Sequence, residues 1–320
     1  MSTIVVTGGV GFIGYHVTRA LAARGDAVVI LDDFSDAPYP AADKRRNAAH
    51  LLAEFPGGVR VIEGTVTSRS TVDAALAGAD SVVHLAGLAG VRPSFADPAR
   101  YVAVNVEGSV NVLEAACARG IQRLTAASSS SVYGNDTPLP ASEDSPCVEP
   151  ASPYAATKRA MELLAQACCL RVPSLTFNAL RFFTVYGPRQ RPEMAITKFS
   201  RALLAGEALP IFGDGSMRRD FTHVRDIVRG VLAVERRETP GFRAFNLGSG
   251  APVTLQELVH ALAAACGESP VLVHEAQPLG DVDATFADIA RARAELAWAP
   301  EVPLVEGLAT VFAWLRAGEG

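Results

Sequence analysis

The feature that most constrains this chain is a glycine-rich turn set between a strand pattern and a helix pattern. The β-branched run Ile4-Val5-Val6 leads into Thr7-Gly8-Gly9-Val10-Gly11-Phe12-Ile13-Gly14, in which Gly9, Gly11 and Gly14 have GxGxxG spacing. Glycine permits a tight turn and lets backbone amides approach a pyrophosphate at the positive end of the following helix. The spacing alone is a weak signal, because any tight strand-helix connection can carry it. Its context is stronger. Asp32 and Asp33 end the next apolar run, at roughly the 20-residue offset where a carboxylate receives the hydroxyls of an adenosine ribose. A carboxylate there repels a 2′-phosphate, so the pattern selects NAD over NADP.

The same strand-helix alternation continues. Residues 27–31, 59–62, 81–85 and 124–127 read as further strands with helix-length segments between them, the signature of a parallel sheet covered by helices on both faces. The predicted fold class is therefore α/β, a Rossmann-type doubly wound parallel sheet with a smaller C-terminal substrate-binding domain. Residues 1–183 are assigned to the NAD-binding domain, which the chain re-enters near 220–248. Residues 184–320 are assigned mostly to the substrate domain. Segments 174–183 and 242–247 look sheet-like, and 194–206 and 255–266 look helical. Pro-rich stretches at 134–153 and 187–192 suit loops at the carboxyl ends of strands, where open α/β sheets place their sites.

A net charge of −5 supplies no long-range attraction to nucleic acid or an anionic membrane, which points to small-molecule partners. The five cysteines form no CxxC pair and no metal-like spacing with histidine, so they read as reduced packing residues and no metal site is expected. There is no leader pattern and no apolar run of about 18 residues, which makes the cytoplasm the expected location and excludes a membrane partner.

A second constellation carries the chemistry. Ser152-Pro153-Tyr154 reads as a helix start, with Ser152 as N-cap and Pro153 in the first turn. Tyr154 and Lys158 then share one helix face. A phenol with an ordinary pKa near 10 is a poor base at neutral pH, and a neighbouring ammonium stabilises its phenolate. This spacing also occurs by chance on solvated helices. The serines Ser128-Ser129-Ser130-Ser131, at a strand end, add hydroxyls that can hold a substrate alcohol.

Taken in order, GGVGFIG, Asp32-Asp33, HLAGLAGVRPS from His84, SSSSVYG from Ser128, YAATK from Tyr154, LRFFTVYGPRQRP from Leu180 and GDGSMRRDFTHV from Gly213 resemble the extended short-chain dehydrogenase/reductases that act on nucleotide sugars. The resemblance implies that Tyr154 takes the C4 hydroxyl proton, Lys158 holds the nicotinamide ribose and Ser129 assists at O4. For NAD it implies Gly8, Gly11, Phe12, Ile13 and Gly14 at the pyrophosphate, Asp32 and Asp33 at the adenosine ribose, and Leu85, Ala86 and Asn105 beside the cofactor. For a UDP-sugar it implies Gly90, Val91, Arg92, Ser94, Ser129, Ser130, Ser131, Thr184, Arg191 and Phe212, with Arg219 and Asp281 toward the nucleotide. A homodimer through the helices of 104–118 and 154–170 is also implied, although faces rich in Ala, Leu and Met serve a core equally well. Two positions depart from the family: Thr65, where Asp is frequent near the adenine, and Pro278, where Arg is frequent near the diphosphate.

Within that family, 4,6-dehydratases carry an Asp-Glu pair where this chain has Ser130-Ser131, and decarboxylases carry Glu at Ser131. C4 epimerisation needs neither acid. RFFTVYGP followed by RPEMA is similar to UDP-glucuronate 4-epimerases, with Thr184 where many UDP-glucose epimerases have Asn. The resemblance thus implies NAD-dependent conversion of UDP-glucuronate to UDP-galacturonate. A neutral UDP-sugar, decarboxylation, or a non-catalytic NAD-binding scaffold stay open as alternatives, and Arg189 competes with Arg191 for the substrate carboxylate.

Overall fold

The computed structural model describes residues 1–275 and 284–318, apart from the side chains of Phe212, His274 and Glu275. The first half alternates as the sequence predicts: β1 (Thr3–Thr7), α1 (Phe12–Ala23), β2 (Ala27–Asp32), α2 (Ala41–Glu54), β3 (Val59–Glu63), α3 (Arg69–Ala75), β4 (Ser81–His84), α4 (Val91–Ala96), α5 (Pro98–Tyr101), α6 (Gly108–Ala118), β5 (Arg123–Ser129), α7 (Pro153–Arg171) and β6 (Thr176–Phe182). There follow β7 (Thr184–Tyr186), α8 (Ala195–Ala205), β8 (Leu209–Phe212), β9 (Arg218–Arg219), β10 (Phe221–His223), α9 (Val224–Glu235), β11 (Gly241–Leu247), β12 (Val253–Thr254), α10 (Leu255–Cys266), β13 (Leu272–Glu275), α11 (Ala290–Leu296) and α12 (Leu304–Arg316).

Seven strands form the main sheet in the order β3-β2-β1-β4-β5-β6-β11. From β3 through β5 every pairing is parallel. Buried residues run consecutively along β1, β2 and β4, because a parallel strand with helices on both sides meets apolar neighbours on both faces. The chain leaves β1 toward β2 on one side and returns to β4 on the other. Beyond the carboxyl ends of β1 and β4 lies the topological switch point, where such sheets bind ligands.

The chain folds as two compact units. The first comprises Met1–Thr137, Asp144–Arg181 and Val228–Phe245, and the second Pro138–Glu143, Phe182–Ile227 and Asn246–Gly320. The first unit's core packs Val5, Leu31, Val82, Leu124 and Phe177 with Val112 and Met161 of α6 and α7. The second has its own core, in which Phe199, Leu262, Leu308 and Phe312 join α8, α10 and α12. The expected helix over 255–266 coincides with α10, which starts with a reciprocal capping box between Thr254 and Glu257.

Candidate active site

The glycine turn is shaped by steric exclusion. At Gly8, with φ +70°, an added Cβ would lie 2.7 Å from the Ala86 nitrogen. At Gly14 it would collide with the Gly8 carbonyl. No side chain caps the first turn of α1, which opens at Phe12 and Ile13 after Gly11. The turn is thus a backbone cradle that a side chain would fill, and it fits the pyrophosphate of NAD. Asn47 of α2 braces it by donating to the Val10 carbonyl at 2.9 Å.

Asp32, at the end of β2, accepts from the Phe34 amide at 3.1 Å and the Val10 amide at 3.4 Å. Its carboxylate therefore sits against the cradle, where an adenosine ribose would meet it. Burial raises its pKa, opposed by the Phe34 amide and by Lys44. Asp33 is exposed and accepts from the Ser35 amide at 2.9 Å. Sequence reasoning missed Lys44, a buried lysine of α2 whose ammonium donates to the Ser35 and Ala37 carbonyls at 2.6 and 3.2 Å. Nothing in the polar pattern of α2 marks it.

The loop after β4 is fixed from both ends. Leu85 and Ala86 donate their amides to the Thr7 carbonyl and hydroxyl at 3.0 and 3.2 Å. Farther on, Asn105 accepts from the Leu88 amide at 2.8 Å and donates to the Leu88 carbonyl at 2.9 Å. Asn105 belongs to a π-helical turn over Val102–Glu107, and such turns occur often at functional sites. Between the two clamps, a Cβ added at Gly87 would lie 3.0 Å from Asn105 Oδ1 and 3.2 Å from Lys158 Nζ, so a side chain there would press on both.

Beneath this loop, buried His84 lies 2.7 Å from the Thr7 hydroxyl through Nδ1 and 3.0 Å from the Ser109 hydroxyl through Nε2. Ser109 spends its proton on the Asn105 carbonyl at 2.6 Å. It must therefore accept from His84 Nε2–H, which leaves Nδ1 to accept from Thr7. One tautomer of the neutral ring satisfies the whole chain. Burial, reinforced by the charge on Lys158, lowers the His84 pKa to about 3.

The predicted helix start forms as read: Ser152 accepts from the Ala155 amide at 3.1 Å, and Pro153 opens α7. Lys158, one turn beyond Tyr154, is buried and donates to the Ala127 carbonyl of β5 at 2.8 Å. Burial lowers its pKa to about 8, opposed by Glu162, so it keeps its charge at neutral pH. Two residues along β5, the Ser129 hydroxyl accepts from the Ser131 amide and donates to the Ser131 hydroxyl, both at 3.1 Å. Ser130 and Ser131 open the 3₁₀ turn that follows and are half-buried. Tyr101 sets its ring edge-on to Tyr154 at 6.2 Å and donates to the Ala89 carbonyl at 3.0 Å, which brings the segment carrying Gly90, Val91, Arg92 and Ser94 beside the tyrosine. Arg92 is exposed, whereas buried Ser94 donates to the Val91 carbonyl at 2.6 Å.

In the second unit, β7 and β10 pair in parallel, Thr184 opposite Phe221. The Thr184 amide donates to the carbonyl of Asp220, the residue that follows Arg219, at 3.0 Å. Buried Asp220, which sequence reading passed over, accepts from the amides of Ser249, Gly250 and Ala287 at 2.5, 3.1 and 3.0 Å. Arg191 pairs with Glu193 at 3.1 Å. Asp281 and Pro278 lie outside the described residues, as does the Phe212 side chain. Among the described residues no His, Cys, Asp and Glu cluster could hold a metal ion, and no helix is long and apolar enough to cross a membrane.

A model of the NAD dependent epimerase/dehydratase family matches residues 4–248. A probable UDP-glucuronate 4-epimerase of Rhizobium meliloti is 36% identical, over 97% of this chain and 96% of that one. Among solved structures, MoeE5 in complex with UDP-glucuronic acid and NAD is 38% identical with a TM-score of 0.86, covering 99% of each chain. The UDP-glucuronic acid 4-epimerase from Bacillus cereus, in complex with UDP-glucuronic acid and NAD, is 32% identical with a TM-score of 0.89, covering 98% of this chain and 99% of its own.

Proposed function

The chain belongs to the NAD dependent epimerase/dehydratase family, and we propose that it interconverts UDP-glucuronate and UDP-galacturonate by C4 epimerisation. The observation that carries the reaction type is the set of Ser129, Tyr154 and Lys158 on β5 and α7, beside a glycine cradle that fits NAD. The likeness to uronate epimerases over nearly the full chain supports the sugar.

NAD, when bound, supplies the acceptor and then the donor of the hydride at C4. Tyr154 takes the C4 hydroxyl proton as that hydride departs, and returns it after the ketone has turned to present its other face. Lys158 stabilises the phenolate, because a buried ammonium acts across few intervening waters. Ser129 hydrogen-bonds O4, exchanging its Ser131 contact for the substrate. No acid or base is required at C5 or C6, in keeping with Ser130 and Ser131 at positions where elimination or decarboxylation would use carboxylates. For the remaining substrate contacts the reading assigns Thr184 to the sugar, Arg191 to the carboxylate and Arg219 to the diphosphate.

The reading extends to a homodimer, supported by the exposed Leu163, Leu164 and Leu170 on α7. It also extends to a cytoplasmic location, supported by five free thiols, four of them buried. Incubation with UDP-glucuronate, UDP-glucose and UDP-N-acetylglucosamine, with C4 epimers resolved chromatographically, tests it. UDP-galacturonate as the main product is expected; turnover of the neutral sugars alone refutes the assignment.

A further inference from the structure

One buried, multiply bonded charge in the first unit belongs to none of the site residues named so far. Glu162 of α7 is fully buried and Arg181 of β6 is 2% exposed. They form a two-pronged ion pair, Nε to Oε1 and Nη2 to Oε2, both at 2.9 Å. Arg159 adds a third contact to Oε2 at 3.0 Å. The Ser128 hydroxyl donates to Oε1 at 2.6 Å, and Arg181 also donates to the Tyr133 hydroxyl at 3.1 Å. Burial alone would raise the Glu162 pKa, yet the contacts from Arg181, Ser128 and Arg159 together lower it.

The location of these contacts matters more than their number. Glu162 follows Lys158 by one helical turn and Tyr154 by two, on the same face of α7. Ser128 immediately precedes Ser129, and Tyr133 closes the turn that carries Ser130 and Ser131. One carboxylate thus links the helix bearing the acid/base pair to the strand end bearing the serines. Buried ion pairs can often be replaced by apolar side chains at no loss of stability, so cohesion alone does not account for one placed here. Lys158 faces Glu162 and Tyr154 from its own helix and His84 from β4. Because His84 is neutral, Glu162 is the anion that favours the ammonium.

We propose that Glu162 is a positioning residue, holding the helix of Tyr154 and Lys158 in register with Ser129 and keeping Lys158 charged through turnover. This rests on the catalytic roles proposed above for those three residues. The test measures kcat, KM and the pH profile of kcat, on whichever UDP-sugar the wild type converts. A wrong sugar then shows in the wild type, and a wrong role for Glu162 only in the variants. Glu162→Gln keeps the shape and removes the charge; the alkaline limb of kcat is expected to move down by about one pH unit, because Lys158 loses the charge that favours its proton. Ser128→Ala keeps the charge and removes one tie. It is expected to lower kcat about 5-fold with KM and the alkaline limb unchanged, and Ser128→Thr, which retains the hydroxyl, is expected to restore kcat. An alkaline limb that stays in place in folded Glu162→Gln overturns the proposal. Wild-type kcat in Ser128→Ala also overturns it, and this variant decides the matter should Glu162→Gln fail to fold.

Discussion

The neutral ring of His84 makes the protein's stability depend on pH in a way that can be worked out in advance. An ordinary histidine titrates at 6.5, and burial, with the charge on Lys158, brings His84 down to about 3. Between those values the unfolded chain binds a proton that the native state refuses, so stability is fully present above the unfolded value and falls as the pH drops toward the folded one. Lowering the pH from about 7 to about 5 spans some one and a half units below the unfolded pKa, and the linkage relation gives a loss of about 2 kcal/mol from this group. His84→Gln replaces the ring with one acceptor for the Thr7 hydroxyl and one donor for Ser109, and it does not titrate. In equilibrium urea unfolding without cofactor at both pH values, the loss in the variant is expected to be smaller than in the wild type by about 2 kcal/mol. Other groups titrate in both proteins and cancel in this comparison. Equal losses in the two proteins would refute the buried neutral ring.

Tyr154→Phe is expected to keep NAD affinity and lose about 100-fold or more in kcat, since ring packing survives and proton transfer does not; stopped-flow turnover with a parallel cofactor titration checks it. Asp32→Ala is expected to weaken NAD binding and narrow the preference over NADP, because the carboxylate both accepts ribose hydroxyls and repels a 2′-phosphate; Kd values for the two cofactors decide it, and an unchanged ratio removes Asp32 from that role. Arg191→Ala is expected to slow UDP-glucuronate turnover by more than about 10-fold, the loss of one charge-assisted contact, and to release some pentose product. Oxidation at C4 makes a β-keto acid, which loses carbon dioxide when its carboxylate is free to rotate out of the ring plane. Product analysis of this variant beside Arg189→Ala distinguishes the two arginines.

What the sequence determined by itself is local. Consecutive apolar residues announced the buried parallel strands, residues 255–266 announced a helix, and Ser152-Pro153 announced the start of α7. The spacing from Tyr154 to Lys158 placed both on one helix face. Each of these depends on backbone periodicity or on neighbours within one turn, and both are written directly in residue order. The partners of the site residues are a different matter. Thr7 meets His84 across 77 positions, Ser128 meets Glu162 across 34, and Lys158 reaches Ala127 across 31. Strand order and the packing of helices onto the sheet decide those contacts, and an apolar pattern fits several strand orders equally well. His84, Glu162 and Arg181 therefore look in sequence like polar residues inside ordinary strands and helices. Burial forces each to find a partner, and only the tertiary structure decides which one.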